Sequence, residues 1–290
     1  MNDPSPGWLH LQIADTLVCF LLPAIAALLP ARIAKSYLWQ VARIGWLFAD
    51  RSARVDRAAE KCFGETGNMQ QHWRWATLME ASESWRLMVG ISPRLDVDGQ
   101  WPDEPGFVAA AMHYGSGIVA LWHMREAGLQ PRLVFRPVTR ADMPGRPVLY
   151  LWSRLRLGLF FRLCLSRPIQ TGGARETVAE AIANRDGSPM LAFDTPTSEP
   201  DRWAMNVGHG KVRLREGGLR IIRDTPCRLA ACSVTSDRST GRALLRIRQA
   251  EESCDQQQFL LEFMNRTVAN DPGQWHLWPV IEGYIETDEG

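Results

Sequence analysis

Lysine is almost missing from this chain. Lys35, Lys61 and Lys211 are the only three, so nearly all of the 33 basic side chains are arginine. Arginine suits phosphate and carboxylate contacts, and a GC-rich genome would give the same bias; composition alone does not choose. An excess of either charge is missing too. The formal net charge is +1, which leaves no global electrostatic case for nucleic acid as a partner. The six cysteines are Cys19, Cys62, Cys164, Cys227, Cys232 and Cys254; none forms a CxxC pair or stands near a histidine at metal-ligand spacing. They read as buried free thiols of a reduced, cytosol-facing chain, and no metal is expected. No Walker or dinucleotide fingerprint is present, and no repeat or low-complexity segment.

A long hydrophobic run is lacking as well. Residues 17–29 (LVCFLLPAIAALL) are nearly all apolar, but a bilayer span needs about 20 such residues. Pro23 and Pro30 are expected to break the run further. It does not have the form of a signal peptide, because Asp3 and Asp15 precede it and no basic segment does. Residues 31–57 mix Ile33, Trp39, Ile44, Trp46 and Phe48 with Arg32, Lys35, Arg43, Arg51 and Arg54. Tryptophan beside arginine on an amphipathic helix is a membrane-interface composition. A helix pair packed on the main domain has the same periodicity, so both readings stand.

What is present is an ordinary globular balance, 46% hydrophobic and 22% charged in 290 residues, enough for one large or two small cores. Residues 1–92 read as helical. Pro93, Gly99, Pro102, Pro105 and Gly106 mark a hinge, and residues 93–290 read as the second domain. There, short apolar runs at 107–112, 132–135, 189–193, 227–234 and 243–247 suit buried strands, with a further strand within 160–169. Helical patterns cover 117–127, 147–158, 175–185, 217–223 and 256–269. The alternation predicts an α/β fold with a central, mainly parallel sheet flanked by helices. Ligands bind such sheets beyond the carboxyl ends of the strands.

His113 follows the first apolar run directly. Tyr114, Gly115, Ser116 and Gly117 come next, and then a helix. An imidazole at a strand end, over a helix N-terminus able to hold an anion, offers a base beside an oxyanion site, as acyl transfer requires. Glycines at 115 and 117 let a substrate approach the backbone closely. The bland alternative is that His113 fills a turn. Ser116 is not expected to be a nucleophile, because Tyr114 and Ile118 stand where the G-x-S-x-G elbow needs glycines. It reads as a hydrogen-bond donor to substrate or as a helix cap.

These residues also carry a resemblance. AMHYGSG at a strand end, LVFRP, TGGARETVAEAI and PMLAFD, in this order, resemble the lysophospholipid acyltransferase superfamily, closest to its lipid A biosynthesis (late) acyltransferase branch. LLP and the RVDRAAEKCFG stretch in the N-terminal part are similar to that branch too. The resemblance covers most of the chain as a diffuse set of spaced motifs. It implies transfer of a fatty acyl chain from acyl carrier protein or acyl-CoA to a hydroxyl or amine. It also implies work at the cytoplasmic face of the bacterial inner membrane, against its lipid surface, with no further cofactor. The family's histidine sits in H-x4-D/E. His113 matches the histidine, but Ile118 stands where the acid belongs, which removes the imidazole's expected partner.

Asp194, at the end of PMLAF, matches a later carboxylate of the family and is the expected replacement, with Glu199 and Asp201 behind it. Alternatively Asp194 caps its own Asx-turn with Thr195 and Pro196. Arg136 matches the arginine of the family's Y-R-P motif, implying a phosphate or acceptor contact. Gly172 and Gly173 precede a helix and are candidates to cradle the acceptor. Arg154 and Arg156 read as reaching a phosphopantetheine, a carrier protein or lipid headgroups, or as a solvated face. The segment Trp275-His276-Leu277-Trp278 matches a tryptophan-rich stretch of the family, but Pro279, Val280 and Ile281 replace its basic residues. His276 and His123 read as packing residues. Two rivals remain: a non-catalytic scaffold that docks on membrane or carrier protein, and a thioesterase with water as acceptor.

Overall fold

The computed structural model describes residues 7–64, 67–199, 203–251 and 253–287. Helices come first. The segment α1 (Trp8–Asp15), a π-helical turn (Thr16–Leu21) and α2 (Leu22–Leu28) run on as one rod. They are followed by α3 (Ala31–Ala42), α4 (Ala49–Phe63) and α5 (Met69–Met88). Strands then alternate with helices: β1 (Leu95–Asp98), β2 (Phe107–Ala111), α6 (Gly117–Glu126), β3 (Pro131–Phe135), α7 (Pro147–Leu163), β4 (Ile169–Gln170), α8 (Ala174–Ala183) and β5 (Ser188–Ala192). The rest of the chain supplies β6 (Ala204–Val207), β7 (Gly210–Arg213), α9 (Gly217–Asp224), β8 (Arg228–Ser236), β9 (Ala243–Gln249), α10 (Gln256–Asn270), α11 (Trp278–Ile281) and β10 (Ile285–Thr287).

Among the described residues, seven strands make one sheet in the order β1-β9-β8-β2-β5-β3-β4, and all neighbours are parallel except β8 and β9. The expected α/β architecture is therefore the observed one. A small antiparallel sheet, β10-β7-β6, stands beside it. Side chains alternate across β2 as strand geometry requires. Phe107 and Ala109 face the layer that holds Ile118 and Leu121 of α6 and Leu159 and Leu163 of α7. Val108 and Ala110 face Val178 of α8, Ile222 of α9 and Met264 of α10. Burying each large aliphatic side chain fully contributes about 2 kcal/mol, so a sheet covered on both faces is favoured over a half-exposed one. The second layer continues into Leu38, Val55, Trp75 and Leu78, so the N-terminal helices share its core.

Two expectations fail for identifiable reasons. The run at 17–29 is not short: the helix extends back to Trp8, and its 21 residues are long and apolar enough to cross a membrane. Pro23 does not break it. Proline has no N–H to give the carbonyl four residues earlier, and that carbonyl, of Cys19, instead accepts from Trp85 Nε1 at 2.9 Å. Pro30 does end the rod, because Leu29 turns to extended backbone before α3. A little under half of the rod's most apolar stretch is buried against the domain. Trp8, Leu9, Ile13, Leu21, Ile25 and Leu28 stay exposed. Second, α7 runs through Gly158 to Leu163, so of the range 160–169 expected to hold a strand only Ile169 is in one, as the first residue of β4. Trp152, Leu159 and Leu163 are buried at helical spacing, and that packing outweighs one glycine.

Candidate active site

The register of two strands builds the site. β2 and β5 lie side by side in parallel, with Ala109 opposite Met190, Ala110 opposite Leu191 and Ala111 opposite Ala192. Phe193 N–H donates to the Ala111 carbonyl at 3.1 Å, so the pairing runs past both strand ends. Carried two residues further, the same register sets Asp194 beside His113 on the carboxyl edge of the sheet.

The contact is close. His113 Nδ1 lies 2.8 Å from Asp194 Oδ1, and the His113 backbone N–H donates to Oδ2 at 2.8 Å. Trp275 Nε1 donates to the same Oδ2 at 2.8 Å. Both carboxylate oxygens are thus directed to His113 and Trp275 and not to an Asx-turn with Thr195 and Pro196. Asp194 is fully buried, while 47% of the His113 side chain is exposed. A carboxylate only accepts, so Nδ1 carries the proton and Nε2 is left with a free lone pair.

The electrostatics agree with that tautomer. Burial pushes the Asp194 carboxyl up, but the His113 charge and the hydrogen bonds from His113 and Trp275 outweigh it and hold the group below the ordinary carboxylate range. Burial likewise opposes charge on His113. The charge and hydrogen bond of Asp194, helped by Glu80 and opposed by Arg156, raise its pKa above the ordinary imidazole value.

The loop after His113 is pinned to the C-terminal segment. Tyr114 forms a β-bridge with Trp275, Gly115 N–H donates to the Gln274 carbonyl at 2.9 Å, and His276 N–H donates to the His113 carbonyl at 2.8 Å. The Tyr114 hydroxyl reaches the carbonyls of Thr267 and Asp271. Gly115 has φ +53°, and a Cβ there would meet the Val234 carbonyl oxygen at 1.7 Å, so this turn accepts only glycine. Its N–H is taken by Gln274, so Gly115 lets the chain pass close to Val234 but does not donate to an oxyanion. In the first turn of α6, Val119 N–H donates to the Ser116 carbonyl at 2.9 Å, while the N–H groups of Gly117 and Ile118 have no helical carbonyl to bond. Ser116 occupies the N-cap position without a side-chain cap bond, and its buried Oγ has no hydrogen-bond partner. Ile118 is fully buried in the apolar layer with Phe107 and Leu121, a place where an ionised carboxylate would be strongly disfavoured.

Compared with protein-family models and with curated proteins, the chain matches none.

The other candidates share the carboxyl edge but not the dyad. Arg136 follows β3, two strands from β2, or about 10 Å along the sheet; it is 75% exposed and pairs with Asp142 of its own loop. Gly172 and Gly173 follow the edge strand β4, about 14 Å from β2, both with positive φ and open space around them. Glu199 is exposed and its N–H bonds to Thr197 Oγ1, while Asp201 lies outside the described residues. His123 accepts from Trp101 Nε1 at 2.9 Å and has the packing role expected of it. Two surface clefts of about 320 and 300 Å³ are lined by other parts of the chain, one by α9 and the start of α10 and the other by His72, Arg238 and Asp271.

Sequence reasoning missed Trp275, Glu80 and the role of Arg156, and read His276 as packing alone. Arg156 pairs with Glu80 at 2.5 Å and is not on a solvated face. His276 Nε2 lies 2.7 Å from the Gly115 carbonyl and 3.6 Å from Glu80 Oε2. The WHLW segment was the one available signal for Trp275; Glu80, some thirty residues before the first site strand, carried none. Among the described residues, no group of three or more His, Cys, Asp or Glu is placed to hold a metal ion.

Proposed function

We propose that the chain is an acyltransferase that moves a fatty acyl group from an acyl thioester, on acyl carrier protein or CoA, to a hydroxyl or amine of a lipid, glycolipid or lipid-like metabolite. The observation that carries this reading is the half-exposed His113 ring with Nδ1 held by the buried Asp194. In the mechanism, His113 Nε2 takes the proton of the acceptor as it attacks the thioester carbonyl. The imidazolium that forms lies against Asp194, which keeps the ring oriented and stabilises the new charge. The tetrahedral oxyanion would lie at the first turn of α6, where the N–H groups of Gly117 and Ile118 lack a helical carbonyl and favour negative charge. The intermediate then expels the thiolate, which takes the proton back from His113. No covalent acyl-enzyme is needed. Arg136 and the Gly172–Gly173 turn stand on the same rim and suit contacts to a phosphate or to a long acceptor, consistent with the lysophospholipid acyltransferase resemblance.

The rod from Trp8 to Leu28 supports docking on a lipid surface, which we place at the cytoplasmic face of the inner membrane. Asp15 on this rod is buried and bonds Arg146 at the start of α7, Nε to Oδ2 at 3.0 Å; Arg146 also pairs with Asp50. A buried ion pair to the domain favours a rod lying on the surface with its apolar stripe in the interface over one that leaves to span the bilayer. The scaffold reading would leave His113 with no carboxylate partner; Asp194 at 2.8 Å favours catalysis. Mass spectrometry of lipid extracts from cells carrying wild type, H113A and D194N tests the function. Loss of one acylated species in both variants is expected. Persistence of that species in H113A overturns the proposal, and free fatty acid formed without an acceptor would make the chain a thioesterase.

A further inference from the structure

The dyad accounts for one carboxylate, yet the site holds another. Glu80 projects from α5, outside the sheet, and its carboxylate is mostly buried. Arg156 of α7 donates to its Oε1 at 2.5 Å. His276, from the C-terminal segment, stands 3.6 Å from its Oε2. The same His276 ring nitrogen lies 2.7 Å from the Gly115 carbonyl. A carbonyl only accepts, so this nitrogen carries a proton donated to Gly115, with the Glu80 carboxylate close by on its other side. The His276 backbone N–H holds the His113 carbonyl at 2.8 Å. Glu80 is therefore one residue removed from the loop that presents the base.

We propose that Glu80, pinned by Arg156 and His276, is a positioning residue of the His113 site: a second carboxylate, supplied by the N-terminal helices, that steadies the His276–Gly115 contact and favours the imidazolium on His113. The proposal rests on reading His113 as the base. A helix–helix ion pair between Glu80 and Arg156 would be complete without a third group, and burying it carries a desolvation cost that an apolar pair would not. The placement of His276 explains what the pair does there. The charged groups around His113 are Asp194 after β5, Glu80 on α5 and Arg156 on α7, with His276 beside Glu80. With both imidazoles neutral, two carboxylates face one guanidinium, which leaves one net negative charge. That charge is balanced when His113 takes a proton from the acceptor, so it stabilises the charge formed in the reaction. The direction of the perturbation on each group agrees: Glu80 raises His113, and Arg156, His276 and His113 together hold Glu80 below its ordinary value against the opposing effect of burial.

The test reads the protonation of His113 on the full chain and needs no substrate. Diethyl pyrocarbonate modifies neutral imidazoles, and peptide mass spectrometry follows the rate at His113 against pH. Wild type, E80Q, R156Q, E80Q/R156Q and D194N are compared, with circular dichroism as the folding control. The midpoint is expected to move to lower pH in E80Q, to higher pH in R156Q and to a position between these in the double variant. Where E80Q alone does not fold, the double variant is read against R156Q, and a midpoint lower than that of R156Q is expected. A purely structural pair would lower thermal stability and leave every midpoint in place. If E80Q keeps the wild-type midpoint and the double variant keeps that of R156Q while D194N moves the midpoint, the Glu80 proposal is overturned and the dyad stands. If D194N also fails to move it, the reading of His113 and Asp194 falls with it.

Discussion

Replacing Asp194 by asparagine removes one charge and almost no volume, and its effect can be worked out from the donors around the carboxylate. Three converge on it: His113 Nδ1, the His113 backbone N–H and Trp275 Nε1. Asparagine offers one accepting oxygen. The two donors now on Oδ2 can share it, which turns the amide NH₂ toward His113 Nδ1. That nitrogen must then accept, so the proton moves to Nε2 and the ring presents N–H to the acceptor in place of a lone pair. The fold retains its hydrogen-bond count, so the stability loss is expected at about 1–3 kcal/mol, the cost of an imperfectly satisfied buried polar group. The base is lost at every pH, and turnover should fall by a factor on the order of 10³–10⁴, the scale for a wrong tautomer in a histidine–carboxylate pair. The signs come from linkage. Asp194, held low in the folded protein, contributes stability that is present above its unfolded pKa and lost as pH falls through the folded one. His113, held high, contributes stability that is full below its unfolded pKa and lost as pH rises through the folded one. In D194N the first contribution vanishes and the second loses its main cause, so the melting temperature should vary less with pH at each end. The assay pairs acylated-lipid yield with thermal unfolding across pH. Activity within tenfold of wild type in a folded D194N protein would refute the reasoning.

Three further outcomes can be measured on the purified chain. Burial raises the Glu83 carboxyl from 4.5 to about 7 against the opposing charges of Arg86 and Arg94; the folded state then binds the extra proton, so stability is full below the lower value and declines through the upper one, by about 3 kcal/mol in all. The stability difference between wild type and E83Q should therefore change between these pH values, and a constant difference would count against it. R146M leaves Asp15 buried without its partner, which should cost about 3 kcal/mol or more and expose the N-terminal rod to protease at lower temperature. G115A has no room for its methyl group beside the Val234 carbonyl and should lose more than about 3 kcal/mol, whereas G172A, with positive φ but open space, should lose about 1 kcal/mol; equal melting temperatures for the two would contradict the close approach at Gly115.

Much of the fold was legible because local pattern and tertiary packing agree. FVAAA and SPMLA are short apolar runs that suit a sheet covered on both faces, and they form β2 and β5. His113 and Asp194 could be placed at strand ends from those runs alone. Where pattern and packing disagreed, packing won. Pro23 looked like a break until Trp85 supplied a donor for the freed carbonyl, and Gly158 looked like an end until its neighbours on α7 found a core. β6 and β7 were missed because each is four residues long, too few for a period to be read. Trp275, Glu80 and Arg156 were not legible as site residues. Their roles depend on segments 70 or more residues apart meeting at one point.

By itself, the sequence determined the α/β class, the two strand ends that bear a histidine and an aspartate, and the glycine that lets the chain turn beyond His113. These follow from side-chain periodicity and backbone sterics, which act over a few residues. Only the tertiary structure decided that Asp194 and not a residue at 118 meets His113, that Trp275 completes the carboxylate's bonds, and that Glu80 and Arg156 stand behind the loop. Those contacts depend on strand order and register between distant segments. Register is set by the summed packing of the whole sheet, and a slip of one residue would turn each side chain to the opposite face.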